Sequence, residues 1–299
     1  MNNFNIFNET SIKIHNKRIN SFLILKNDDR FLSSSEDSKI FVFDNKTFQI
    51  DFEINEFQSG ILNVIQLFNL NLLCSDRNGF LILFKITSKF NYQILIKKKF
   101  DFYFFNFIQL KNFSILTCNK ENKIINFNLN LEEIFTLNLN GFFRSLLEIN
   151  NLIITTDFKN NKILFFENKN IIKEISNIQI YGSNKDLKII NKNLFLCQGI
   201  NKLYFLNICT KNVDLIINFN NSINETLIIN ENNLLICEGN LLKFLRKNSN
   251  ENLNWNLIFK IQLHEQKISC LKIIKNHLIS CAFNGEIKIW KINNLNNIN

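Results

Sequence analysis

The residue types that most often do chemistry occur here in patterns that point away from catalysis. Seven cysteines would suit a metal or redox centre, but no Cys-x-x-Cys pair occurs, and a metal site needs ligands that converge. Five of them, Cys74, Cys118, Cys197, Cys237 and Cys281, recur at one position of a repeated unit and read as small apolar residues on successive strands. The three histidines are His15, His264 and His277, the last read in a turn near the C-terminus. There is no Ser/His/Asp set in a recognisable order, no Gly-rich phosphate loop, no Gly-x-Ser-x-Gly elbow and no acidic metal cluster. The chain is therefore expected to be non-enzymatic, with no cofactor, no metal and no small-molecule substrate.

Basic residues are the better functional candidates. The 35 Lys and Arg against 26 Asp and Glu give a formal net charge of +9 and a pI near 9.1, which suits an acidic partner, RNA included. The lysines are spread along the chain instead of forming a tail. A composition with 32 Phe, no Pro and abundant Asn and Ile is also what A/T-rich codons produce. No stretch reaches the roughly 18 uncharged apolar residues of a membrane span, since even the Phe-rich segment 100–113 holds Asp101 and Lys111. The N-terminus is polar and broken by charge, without a secretory core. An intracellular protein with reduced thiols, nuclear or cytoplasmic, and no membrane partner is expected.

The elements that must position these residues follow from a repeat. Phe31-Leu32-Ser33-Ser34-Ser35-Glu36-Asp37-Ser38-Lys39-Ile40-Phe41-Val42-Phe43-Asp44 reads as strand, tight turn, strand, and Leu278 to Trp290 repeats it near the C-terminus. The bulky residue ending the third strand of each unit is Phe43, Phe84, Phe127, Phe166, Leu206, Leu245 and Trp290, at spacings of 41, 43, 39, 40, 39 and 45. About 40 residues is one four-stranded propeller blade, and the apolar period is two, not 3.6. Gly- and Asn-bearing turns such as Asp76-Arg77-Asn78-Gly79 and Asn284-Gly285 fall between second and third strands. After Trp290 only nine residues remain, too few for a good fourth strand, so residues 10–14 are expected to supply it and close the fold. The predicted fold is all-β, a seven-bladed propeller over 1–299, with repeats near 15–55, 56–98, 99–138, 139–178, 179–217, 218–260 and 261–293.

These residues resemble WD40 repeats, whose second-to-third-strand hairpin reads Ser-Gly-Ser-x-Asp-x-Thr-Ile-x-x-Trp-Asp after an upstream Gly-His. The resemblance covers essentially the whole chain. It implies that His15, Ser33, Asp37 and Phe43 in the first repeat, and His264, Ser280, Asn284 and Trp290 in the seventh, lock their blades as the family's His, Ser, Asp and Trp do. Phe43 lacks the indole N–H of that set, and Asn284 stands where the family has Asp. Blades 2 to 6 lack the His, and Asp76 in blade 2 is read as a retained turn Asp. In this family the fourth-to-first connections and second-to-third turns share a face, which would gather Lys17, Arg18, Arg77, Lys97, Lys98, Lys99, Lys120, Lys159 and Lys267 there. The resemblance implies a scaffold for other proteins of a multisubunit complex. Ribonucleoprotein assembly, in rRNA processing or splicing, with weak or indirect RNA contact, is the leading role. The alternative is the propeller subunit of cytosolic iron–sulfur protein assembly, suggested by the long connection from Arg246 to Trp255 and the closing Gly285 to Lys291.

Overall fold

The computed structural model describes residues 5–26, 28–180, 186–248 and 255–293, and among these the regular structure is entirely β-strand. The chain begins with β1 (Asn5–Lys13). The first blade follows as β2 (Ile19–Ile24), β3 (Arg30–Ser35), β4 (Ile40–Asp44) and β5 (Ile50–Ile54), and the second as β6 (Ile61–Gln66), β7 (Leu72–Asp76), β8 (Phe80–Ser88) and β9 (Asn91–Lys99). Blade 3 is β10 (Phe104–Gln109), β11 (Ile115–Asn119), β12 (Lys123–Phe127) and β13 (Glu133–Asn138); blade 4 is β14 (Phe143–Ile149), β15 (Leu152–Asp157), β16 (Lys162–Glu167) and β17 (Asn170–Ile175). Blade 5 holds β18 (Leu187–Ile189), β19 (Leu194–Gln198), β20 (Lys202–Asn207) and β21 (Asn212–Asn218); blade 6 holds β22 (Ile223–Asn230), β23 (Asn233–Glu238), β24 (Leu241–Lys247) and β25 (Trp255–Gln262). Blade 7 is β26 (Ile268–Ile274), β27 (His277–Ala282) and β28 (Glu286–Asn293), completed by β1 in the order β1-β28-β27-β26. The fold is a seven-bladed β-propeller of four-stranded antiparallel sheets. By Cα packing the chain divides into two compact units, Leu23–Leu187 and the remainder.

Burial explains the strand pattern. The second strands are buried along most or all of their length, as β7 and β11 are throughout, so they carry unbroken runs such as Leu72-Leu73-Cys74 instead of alternating. Fourth strands alternate between half-buried and exposed residues, as β9 and β21 do. Within the Leu23–Leu187 unit, apolar clusters join neighbouring blades. Leu32, Val42 and Ile54 of blade 1 meet Val64, Cys74 and Ile82 of blade 2, and Leu73 and Leu83 meet Phe104, Phe107 and Phe127. In the other unit Leu235, Leu242 and Phe244 of blade 6 pack with Leu271, Leu278 and Trp290 of blade 7.

The residue that marks each repeat has a structural meaning. In every blade the third and fourth strands slip register at that residue, leaving one residue of the fourth strand unpaired. Val42 faces Phe52 while Phe43 faces Ile50, so Asp51 bulges; Leu95, Ile134, Ile172, Asp214 and Ile258 hold the same place. In blade 7 Ile289 faces Thr10 while Trp290 faces Asn8, so Glu9 bulges from β1. β1 thus copies the fourth strand of the other blades down to its irregularity. It pairs from Asn5 to Lys13, a longer strand than residues 10–14. The bulges also explain why Leu95, Ile134, Ile172 and Ile258 are exposed, and a bulge on an outer strand disfavours pairing with another chain.

Second-to-third turns take the left-handed conformation five residues before the marker, at Ser38, Gly79, Asn122, Asn161 and Gly285, with φ of 74°, 83°, 65°, 52° and 84°. The carbonyl at this place accepts the N–H that follows the fourth strand. Phe100 donates to Gly79 at 3.0 Å, Ile178 to Asn161 at 3.0 Å and Phe219 to Asn201 at 2.8 Å. The residue after the second strand donates in turn to the residue before the first, as Arg77 does to Gly60 and Phe283 to Lys267. These heads are short backbone weaves.

Candidate functional site

Five polar side chains of blade 7 form one directional chain. The indole N–H of Trp290 donates to Ser280 Oγ at 2.8 Å, and Ser280 Oγ lies 2.7 Å from His264 Nε2. His264 Nδ1 lies 3.0 Å from Glu286 Oε2, and Ser11 of β1 donates to Glu286 Oε1 at 2.7 Å. With the indole donating, the serine proton goes to Nε2 and the imidazole proton to Glu286. The histidine is then neutral, the glutamate ionised, and every donor satisfied. Glu286 performs the service that the resemblance assigned to Asn284, which instead accepts the Glu286 N–H at 3.2 Å. Nothing in the repeat pattern marks Glu286; its alternation between the buried Gly285 and Ile287 on a third strand was the available signal.

Ser280, His264 and Glu286 have the donor order of a nucleophilic triad, yet Ser280 is fully buried and its oxygen is engaged on both sides. The constellation's four hydrogen bonds join β27, β28 and the segment before β26 to Ser11 of β1. Burial favours the neutral imidazole and pushes His264 below its ordinary pKa, more than Glu286 and Ser280 pull it up. Burial pushes Glu286 up, but the hydrogen bonds from Ser11 and His264 and the charge of Lys288 outweigh it and hold the carboxyl below its ordinary range.

The linkage sign is the same for both groups. Below about pH 6.5 an unfolded chain takes up a proton on this histidine that the folded chain resists, so stability falls as pH drops toward the depressed folded value. The contribution of Glu286 is present above about pH 4.5 and is lost as pH falls through its folded pKa. The urea midpoint is expected to decline steadily from about pH 7 to pH 4. In His264→Gln the decline above about pH 5 should largely disappear. Parallel profiles for the two proteins would contradict the assignment.

Blade 1 has Phe43 where blade 7 has Trp290. His15 and Ser33 are fully buried, Asp37 Oδ1 accepts the Lys39 N–H at 3.2 Å, and Phe43 stacks on Phe31 with centroids 4.6 Å apart and planes 9° from parallel. Ring packing stands where blade 7 has an indole hydrogen bond. Asp76 differs from the sequence reading. It ends β7, two places earlier than Asp37 and Asn284 stand relative to their markers, and its Oδ1 accepts the N–H groups of Asn78 at 3.0 Å and Phe80 at 2.8 Å. Asn119 binds Glu121 and Lys123 in the same way, and Asp157 binds Phe142 and Lys159. A buried side chain that knots its own turn thus takes the place of the His-centred set in these blades. His277 also lies one step from its expected place, as the first residue of β27 and 2.9 Å from Glu9 of β1.

The basic residues separate into groups. In the Leu23–Leu187 unit, Arg77, Lys120 and Lys159 lie in second-to-third turns. Lys97, Lys98 and Lys99 instead end the nine-residue strand β9, and alternation sends Lys98 the opposite way from its neighbours. Lys98 Nζ donates to the carbonyls of Asn130 and Leu131 at 3.1 and 3.0 Å, while Lys97 lies 3.6 Å from Glu56 and Lys99 sits over the Phe80 ring. The Lys97 to Lys99 run is therefore no single patch. Arg77 is clamped by both oxygens of Glu36 at 2.5 and 2.6 Å. In the other unit Lys17, Arg18 and Lys267 lie in fourth-to-first connections, with Arg18 stacked 4.2 Å above Phe283.

What sequence reasoning missed is the aromatic half of these heads. Tyr103 and Phe142 precede the first strands of blades 3 and 4, and Phe158 follows the second strand of blade 4. Lys120 lies over Tyr103, Arg144 over Phe105 and Lys159 over Phe142. With 32 Phe in the chain, no single ring stood out.

No protein-family model and no curated protein matches this chain. Its likeness to WD40 repeats rests on the propeller fold, the repeat spacing and the His264, Ser280 and Trp290 positions. Of the connection from Arg246 to Trp255, residues 249–254 lie outside the described residues. Among the described residues no three His, Cys, Asp or Glu side chains gather to hold a metal ion, and no helix is long and apolar enough to cross a membrane.

Proposed function

We propose that this chain is a non-enzymatic scaffold of the WD40 type that holds other proteins together in a multiprotein complex, within ribonucleoprotein assembly in the nucleus or cytoplasm. One observation carries the reading. The triad-like constellation of blade 7 is sealed at Ser280, while the exposed heads of blades 3 and 4 present cations resting on aromatic rings. A rigid frame with buried polar locks and a basic, aromatic surface suits recognition rather than turnover, and the positive charge suits partners that carry RNA. Sedimentation of a cell extract tests this. The protein should travel in a particle far larger than its own 35.4 kDa and shift toward lighter fractions after ribonuclease. Migration as a free 35.4 kDa chain would refute the scaffold role.

A further inference from the structure

Three cations in the Leu23–Leu187 unit lie at or beside the heads of blades 3 and 4. Among the described residues Lys120, Arg144 and Lys159 make no ion pair, and each lies against a ring. Lys120 Nζ is 5.5 Å from the centroid of Tyr103, Arg144 Cζ 4.3 Å from Phe105, and Lys159 Nζ 6.0 Å from Phe142. The rings are linked in turn, with Tyr103 meeting Phe105 edge-on at 5.1 Å. Phe142 and Phe158 are 40% and 41% exposed, a high figure for phenylalanine, and the backbone holds them side by side through a 2.8 Å hydrogen bond from Phe158 N–H to Phe142 O. The same bond in blade 3, 3.2 Å from Lys120 N–H to Tyr103 O, sets the lysine beside the tyrosine. Nearby acids are engaged elsewhere: Glu121 pairs with Lys123 at 2.8 Å, and buried Asp157 accepts from backbone amides.

We infer that the heads of blades 3 and 4 form a binding surface for single-stranded RNA, with Lys120, Arg144 and Lys159 meeting phosphates and Tyr103, Phe142 and Phe158 stacking on bases. An acidic peptide would use the cations and leave the exposed rings idle, whereas a single strand uses both, because each unpaired base offers a π-face. A duplex hides those faces in its own stack. This deepens the scaffold reading by naming a direct RNA contact, and it can fail while that reading stands.

The test is fluorescence anisotropy of the full chain with labelled twelve-residue oligouridine, a duplex RNA of the same length and a labelled twelve-residue oligoglutamate. The chain should bind oligouridine more tightly than either competitor. The log of affinity should fall with log salt at a slope near −2, about −0.7 for each of three phosphates. Phe142→Ala and Phe158→Ala should each weaken binding roughly tenfold. Lys120→Glu, Arg144→Glu and Lys159→Glu together should abolish it, and Lys192→Glu, an equal charge change on an exposed loop of the other unit, should leave it unchanged. Should the triple variant fail to fold, the two alanine variants decide alone. No binding to oligouridine, equal binding by the alanine variants, or tighter binding of duplex or oligoglutamate overturns the proposal. A chain that still sediments in a large ribonuclease-sensitive particle but ignores oligouridine sinks the RNA surface alone.

Discussion

Gly285→Ala is expected to lower the thermal midpoint by about 5 °C, while Gly239→Ala costs only about 2 °C. Both glycines sit in second-to-third turns with positive φ, +84° and +64°. A Cβ at residue 239 meets nothing within 4 Å, so alanine there bears only the left-handed backbone cost of about 1 kcal/mol. A Cβ at residue 285 would lie 2.0 Å from the carbonyl oxygen of His15, in the segment leaving β1. Main chain must move to admit it, and what moves is the attachment of the closing strand beside Ser11 and Glu286. A cost of about 3 kcal/mol or more follows, which is roughly 5 °C in a domain of this size. Gly79→Ala should resemble it, since its Cβ would fall 2.4 Å from Phe100 O and 2.7 Å from Phe102 O. Equal midpoints for the 239 and 285 variants would mean that the head of blade 7 is not packed against the chain leaving β1.

Trp290→Ala should be the most damaging side-chain deletion in blade 7. The indole is 6% exposed, packs among Leu235, Leu271 and Leu278, and donates the first hydrogen bond of the chain that ends at Ser11. Emptying that volume costs about 3–5 kcal/mol and leaves Ser280 without its donor. Trp290→Phe separates the two contributions, because it keeps a ring and removes only the N–H. Blade 1 already shows that a phenylalanine fills this place, with Phe43 stacked on Phe31. A loss of about 1–2 kcal/mol is therefore expected for phenylalanine, read as the shift in urea midpoint at constant slope. Equal losses for the two variants would show that the hydrogen bond, not the packing, holds the blade.

How much of this was legible in the sequence depended on which physical constraint each residue obeys. The marker residues Phe43 to Trp290 were readable because each blade must bury one bulky side chain where its third and fourth strands slip register, and that requirement survives a skewed composition. Closure by β1 was readable because an unpaired edge at β28 would be costly. Glu286 was hidden because a carboxylate can reach His264 from the third strand as well as from the turn, and only the geometry chooses. Lys97 to Lys99 were placed in a connection because a charged run reads as a loop. In fact β8 and β9 extend to nine residues each, and the lysines end a strand, with Lys97 and Lys99 exposed and Lys98 half-buried. Tyr103, Phe142 and Phe158 were lost among so many aromatic residues, since their place beside the cations of the blade heads, not residue type, distinguishes them.

The most direct measurement of the scaffold claim is affinity purification of the tagged protein from its own cells, split before elution into samples with and without ribonuclease and read by mass spectrometry. A stable set of co-purifying proteins is predicted, including ribosome-assembly or splicing components that diminish after ribonuclease. Recovery of the chain alone would contradict the scaffold, and a set of partners indifferent to ribonuclease and free of ribonucleoprotein components would contradict the assignment to ribonucleoprotein assembly.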